Sequence, residues 1–318
     1  MINARELSRT FRTRSGPVEA VRGVDLDVAP GEIFGFLGPN GAGKTTTLRM
    51  LTTLLVPTAG EATVAGCDLR RDPVGVRRRI GYVAQGGASL PQAQAGEEVT
   101  AQARLYGISR AEAEARGRDL FSRLDLEGLW NRTCQSLSGG QRRRLDIVLG
   151  LVHSPQLIFL DEPTTGLDPQ SRANLWQHIS RLRDEGATVF LTTHYLDEAD
   201  SLCDRISVID HGVIVASGTP EELKRQVSGD AVVLTLEDPA RSADAAALGA
   251  VLDGADEPVI DGAQVLVRVP HGAAVLPHLL RDLDSKRVAL TSVEVRRPTL
   301  DDVFLSLTGR SLRDEPAA

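Results

Sequence analysis

The sequence predicts an α/β fold: a mostly parallel sheet flanked by helices, carrying a helical insertion and followed by a small α+β domain. Three observations predict it. Short, wholly apolar runs alternate with helix-length segments as far as about residue 225, the pattern of parallel strands joined by crossover helices. One of these runs opens into a glycine-rich loop, and another ends in two adjacent carboxylates. Beyond about Gly229 the texture changes to short strands around one amphipathic helix.

Residues 33–37 (IFGFL) and 157–160 (LIFL) read as strands buried on both faces, because they show no polar alternation. Residues 80–84, 188–192 (TVFLT) and 206–209 (ISVI) extend the same sheet. Between Glu97 and Val152 the periodicity is helical, with breaks at Gly107 and around 134–140, so about 97–152 is read as an insertion in a first domain spanning 1–225. In a second domain, 226–318, residues 231–236 and 264–269 are short strands and 274–284 a helix. A last strand near 293–296 leads past Pro298 into a helix whose start is marked by Thr299 and Asp302. Residues 313–318 read as a frayed end.

Composition narrows the function classes. The chain has 318 residues, enough for one large and one smaller domain, with 42% hydrophobic and 25% charged residues as in ordinary globular proteins. A net charge of −7 disfavours a whole-protein grip on nucleic acid, but a small polyanion needs only a local cradle of donors. No apolar run approaches the length of a membrane span, and no apolar stretch follows the N-terminal charges, so no secretory signal is expected. Cys67, Cys134 and Cys203 lack metal-ligand spacing and read as reduced core thiols.

Gly38, Pro39, Asn40, Gly41, Ala42, Gly43, Lys44 and Thr45 match G-x-x-x-x-G-K-[ST] between a predicted strand and a predicted helix. Glycine lets the backbone wrap until its N–H groups face phosphate oxygens, and the helix N-terminus adds positive potential. Lys44 is expected to hold the β- and γ-phosphates and Thr45 to ligate Mg²⁺, with Thr46 completing the cradle. This P-loop motif is expected to bind phosphate; a plain glycine-rich turn would not need Lys-Thr at the helix start.

Asp161 and Glu162 stand where the apolar run 157–160 ends, the edge at which ligands collect in open α/β sheets. Asp161 is expected near the metal shell. Glu162 is expected to face the water that attacks the γ-phosphate, as base or orienter.

Leu137, Ser138, Gly139, Gly140 and Gln141 spell LSGGQ, and with the two preceding motifs the chain resembles the ABC ATPases. The resemblance implies that Ser138, Gly139, Gly140 and Gln141 contact ATP held by a second copy, giving a homodimer with ATP sandwiched head to tail. It further implies that Phe11 stacks on adenine and that Gln85 reaches Mg²⁺ and the attacking water. Asp168, in the run Gly166, Leu167, Asp168, Pro169, is then part of the link between the two sites, and His194 contacts the γ-phosphate. Glu162, His194 and Gln85 are thus the expected catalytic set, Thr45, Gln85 and Asp161 the expected Mg²⁺ set, and ATP and Mg²⁺ the expected cofactors.

Within the family the chain is similar to exporters of the daunorubicin-resistance type, on the strings SGGQRRRLDI (138–147) and PTLDDVFLSLTGR (298–310). The implied function is the ATP-hydrolysing subunit of an exporter of drugs, antibiotics or lipids. It would work at the cytoplasmic face of the cell membrane on a separate multi-span permease, with no nucleic-acid partner. Where relatives carry T-G-x-E-N-L, this chain has Ala95, Gly96, Glu97, Glu98, Val99 and Thr100, in the region that lies against the membrane subunit in the family. The rival is a soluble ABC ATPase acting on nucleic acid or ribosomes, disfavoured by the single cassette, the acidic balance and the lack of zinc spacing. A module that holds ATP without cleaving it is disfavoured by Glu162 and His194. Arg142, Arg143 and Arg144 read as the solvated face of a helix whose Leu145, Val148, Leu149 and Val152 pack inward. His153, His178, His211, His271 and His278 show no ligand spacing. Cargo contacts would lie in the permease.

Overall fold

In the computed structural model, residues 1–14, 16–226 and 229–309 are described, and two compact units divide after Pro220. The first begins with a long antiparallel hairpin, β1 (Ile2–Thr13) and β2 (Gly16–Val28). The reading along the sequence did not contain this hairpin. Register shifts between Ala4 and Leu7, and again around Arg9, break its alternation of buried and exposed residues, so no period-two signal survives.

β3 (Ile33–Leu37) is buried throughout and leads through the glycine-rich loop into α1 (Lys44–Leu51). β4 (Ala59–Val64) and β5 (Cys67–Asp68) complete a four-stranded sheet in the order β2-β1-β4-β5. α2 (Pro73–Arg79) starts on an Asp72 side chain that accepts from the Gly75 N–H, with Pro73 in the first turn where no donor is lost. β6 (Ile80–Val83) follows. The predicted helical segment comprises α3 (Ala95–Leu105), α4 (Arg110–Arg123) and α5 (Gly139–Leu151). Gly107 breaks it at a φ of 81°. α3 holds the residues 95–100 at which the chain departs from T-G-x-E-N-L. Gly96 is required there, because a Cβ would meet the Trp130 ring at 2.2 Å.

β7 (Leu157–Asp161), α6 (Pro169–Asp184), β8 (Thr188–Thr193), α7 (Leu196–Leu202), β9 (Arg205–Asp210) and β10 (Val213–Gly218) complete the unit. Its main sheet runs β10-β9-β3-β8-β7-β6, parallel except for β10. Phe34, Phe36 and Phe159 pack around Phe190 with ring centroids 5.4–5.7 Å apart. This aromatic core fixes β3, β7 and β8 side by side, so their C-terminal ends open on one edge.

The second unit contains α8 (Pro220–Gln226), β11 (Asp230–Leu236), α9 (Ser242–Ala250), β12 (Val259–Asp261), β13 (Gln264–Val269), α10 (Gly272–Ser285), β14 (Leu290–Arg296) and α11 (Leu300–Thr308). Its sheet is antiparallel in the order β12-β13-β11-β14. Val232, Leu234, Val265 and Val267 pack with Leu279 and Leu283 of α10. The predicted Thr299–Asp302 capping box is formed. Arg310 and the 313–318 end lie outside the described residues.

Candidate functional site at the C-terminal edge of the parallel sheet

The loop after β3 closes because its glycines adopt conformations that other residues rarely take. Gly41 and Gly43 have φ of 78° and 107°, and a Cβ on Gly43 would meet the Ala20 carbonyl at 2.6 Å. Gly43 is also the N-cap of α1 and supplies no side-chain cap, the kind of helix start that can bind an anion. Lys44, only 4% exposed, donates to the Gly38 and Pro39 carbonyls at 2.7 and 3.0 Å and lies 3.3 Å from Glu162 Oε1. Asn40, Gly41, Lys44, Thr45, Gln85 and Glu162 are among the residues lining a cavity of about 200 Å³. Thr46 and Pro39 line it as well, whereas Gly38 and Ala42 shape the loop through its backbone bonds to Thr193 and Gly212. A larger cavity of about 540 Å³ lies in the second unit, but acidic and basic side chains alternate around it and no catalytic set converges there.

Two carboxylates complete the edge. Asp161 Oδ1 accepts from Thr192 Oγ1 at 2.7 Å and from Thr45 Oγ1 at 3.2 Å, so oxygen donors from two strands and α1 meet at one point. Hard oxygen donors of this kind suit Mg²⁺. Glu162 leaves β7 at a φ of 44°, a left-handed conformation that costs an L-residue about 1–2 kcal/mol. Its N–H is held by Thr192 through both the carbonyl and the hydroxyl, at 3.1 and 3.0 Å. The turn aims the carboxylate across the cavity. Glu162 Oε2 accepts from Gln85 Nε2 at 2.9 Å and Thr165 Oγ1 at 3.2 Å, and lies 3.3 Å from His194 Nδ1. Burial alone would raise the Glu162 pKa, but His194 and Lys44 outweigh it and hold the carboxyl at about 2.

The structure therefore gathers Lys44, Thr45, Gln85, Asp161, Glu162 and His194 from β3–α1, β6, β7 and β8. Phe11, Ser138, Gly139, Gly140, Gln141 and Asp168 lie apart from this cavity. Phe11 sits half-buried on β1, with the Arg9 guanidinium 4.8 Å from its ring centroid. Ser138 and Gly139 are exposed at the head of α5. There Ser138 Oγ accepts from the Gln141 N–H and the Gln141 side chain accepts from the Ser138 N–H, a reciprocal capping box, while Gly140 packs near Ser171. Asp168 caps α6 through Ser171, whose hydroxyl and N–H hold its carboxyl below the usual range. None of these residues lines the cradle's cavity.

One expectation is corrected. Arg143 is not on a solvated face. It is 7% exposed, and its guanidinium donates to the carbonyls of Pro163 at 2.8 Å, Ala84 at 2.6 Å and Asp161 at 3.0 Å. Three consecutive arginines hide which one turns inward, and a buried arginine beside apolar residues leaves no hydrophobic signal. Arg142 and Arg144 remain partly exposed. Thr192 and Thr165, which hold Asp161 and Glu162, are further residues the sequence left without a role.

The family model described as ABC transporter matches residues 21–165, and that described as ATP-binding protein DrrA1-3-like, C-terminal domain, matches 218–308. The chain is 42% identical to the daunorubicin resistance ATP-binding protein DrrA3 of Streptomyces coeruleorubidus, covering 96% of each chain. It is 33% identical to the linearmycin resistance ATP-binding protein LnrL of Bacillus subtilis over 99% of this chain and 100% of that one. Among solved structures it is similar to a dimeric ATP-binding cassette in a post-hydrolysis state bound to ADP and Pi. That match has a TM-score of 0.64 and 27% identity, over 69% of this chain and 98% of that chain.

Proposed function

This chain belongs to the ABC transporter family of ATPases, and from that premise we propose that it is the ATP-hydrolysing subunit of an exporter of drugs, antibiotics or lipids. It works as a homodimer at the cytoplasmic face of the membrane and drives a separate multi-span permease. The relatives named for daunorubicin and linearmycin resistance support the exporter reading. No helix among the described residues is long and apolar enough to cross a membrane.

The observation that carries the chemistry is the convergence of Lys44, Gln85 and His194 on one carboxylate, each within 3.3 Å of Glu162. The α1 N–H groups and Lys44 bind the phosphates. Thr45, Asp161 and Gln85 would hold Mg²⁺, which when bound neutralises charge on the β- and γ-phosphate oxygens. Gln85 and Glu162 orient a water in line with the bond to the leaving phosphate oxygen. As the water oxygen bonds to phosphorus and that bond breaks, Glu162 takes the water's proton, and Lys44 and His194 stabilise charge on the phosphoryl oxygens. Lys44 moves from Glu162 to the phosphate on the way, which lifts the carboxylate from its depressed pKa toward the range of a base.

Ser138–Gln141 do not line their own cradle's cavity and stand at a capped helix start, an arrangement suited to phosphate held by a second copy. The test is the Glu162→Gln chain assayed beside the unaltered one. It is expected to bind ATP with near-normal affinity and to lose turnover by roughly 100-fold or more; normal turnover would overturn the assignment.

A further inference from the structure

The buried guanidinium of Arg143 satisfies no carboxylate of the site directly. It is spent on backbone carbonyls, and those carbonyls belong to the two segments that present the reacting side chains. Nη1 reaches Ala84 O at 2.6 Å and Gln85 O at 3.5 Å, where β6 ends and Gln85 begins. Nη2 reaches Asp161 O at 3.0 Å and Nε reaches Pro163 O at 2.8 Å, on either side of Glu162. Arginine suits this task because its planar fork donates along several fixed directions, which an ammonium cannot reproduce.

Asp146, one turn along α5, holds the same loop from its other side. Its Oδ1 accepts the Ala88 N–H at 3.2 Å, and the Ser89 N–H also favours its charge. A Cβ on Gly87 would meet Asp146 Oδ2 at 2.7 Å, so the loop lies directly against this carboxylate. Asp146 is 5% exposed. Burial pushes its carboxyl pKa up and the Arg143 guanidinium pKa down, and each group favours the charged form of the other. Two opposite charges buried on one helix face are expensive unless each completes its hydrogen bonds. Here they do so on the backbone of residues 84–89 and 161–163.

We infer that Arg143, supported by Asp146, is a positioning residue for ATP hydrolysis: it fixes Gln85 and Glu162 relative to each other and to the helix headed by Ser138–Gln141. This rests on the ATPase reading above. Arg143 lies five positions beyond Ser138 on a continuous helix, so a displacement of the Ser138 end by a second copy moves the guanidinium and the carbonyls it holds. Neither residue touches the cavity that binds phosphate, so the effect falls on turnover and not on nucleotide affinity.

The test uses full-length Arg143→Lys, Arg143→Met and Asp146→Asn, with turnover, ATP affinity and backbone hydrogen exchange measured on each. Arg143→Lys keeps the charge and the fold even if Arg143→Met does not fold. The expected result is a loss of kcat by roughly 10- to 100-fold in the Arg143 variants, with the dissociation constant for ATP changed by less than about threefold. Exchange should rise across 84–89 in all three while the α1 segment stays protected. A folded Arg143→Lys chain with unaltered kcat and unaltered exchange at 84–89 would overturn the inference, as would parallel losses of affinity and turnover. Absence of turnover in the unaltered chain is a different failure: it would sink the ATPase reading, while the exchange pattern would still decide whether Arg143 holds these segments.

Discussion

Lys44 Nζ lies 3.3 Å from Glu162 Oε1, and the two side chains are 4% and 7% exposed. The lysine of the phosphate cradle and the carboxylate expected to accept a proton thus form one buried ion pair across the mouth of the loop. Each compensates the other's burial, and in the proposed mechanism each is released for its task when phosphate becomes the lysine's partner.

Replacing Lys44 with Met should weaken ATP binding by roughly 10- to 100-fold, the worth of a charge-assisted hydrogen bond to phosphate. It should also destabilise the chain, because Glu162 is left buried without its lysine partner. Calorimetric titration with ATP and thermal melting read the two effects separately; unchanged affinity would remove Lys44 from the phosphate site.

Glu162 makes stability depend on acid. Its folded pKa of about 2 lies below the ordinary 4.5, so the unfolded chain binds this proton more readily. The stability it contributes is fully present above about pH 4.5 and is lost as pH falls toward 2. Denaturant melts of the unaltered chain and of Glu162→Gln at several pH values should therefore converge as the pH drops through that window. Parallel curves would show that Glu162 is not held by Lys44 and His194.

If Ser138–Gln141 complete the cradle of a second copy, Lys44→Met and Ser138→Arg are each inactive alone but complement when mixed. A mixed dimer has one site in which an intact cradle faces an intact Ser138. Equal mixing should restore roughly a quarter of the normal number of sites, by the symmetry of a head-to-tail pair. A mixture no more active than its components would contradict sharing of sites between copies.

Ser138 also caps α5 in this chain. Ser138→Ala should lower stability by about 1 kcal/mol through the lost cap, readable as a shift of the denaturant midpoint without a change in slope. Ser138→Asp should restore that stability, since Asp caps as well as Ser, but not turnover, because its charge opposes phosphate. Equal recovery of both would reduce Ser138 to a helix cap.

Much of this was legible because the site is built from local sequence. The loop Gly38–Lys44 and the pair Asp161–Glu162 each follow an apolar strand, and the chemistry of each is carried by consecutive residues. The capping box at Thr299 was legible for the same reason. Convergence was legible only through the resemblance: that Gln85, Glu162 and His194 meet depends on the order β3-β8-β7-β6, which no local pattern in the sequence encodes. Arg143 was misread because an arginine donating to four distant carbonyls looks, in sequence, like its exposed neighbours. The hairpin β1–β2 was missed because its irregular register erases the alternation that marks a strand.

The most direct measurement is purification of the tagged Glu162→Gln chain from its native membranes with ATP present, followed by identification of what accompanies it. Blocking hydrolysis should trap the closed dimer, and the account predicts a multi-span membrane protein at one copy of the ATPase per half of the permease. A soluble dimer without any membrane protein, or one carrying RNA, would contradict the exporter assignment and leave an ABC ATPase with a different task.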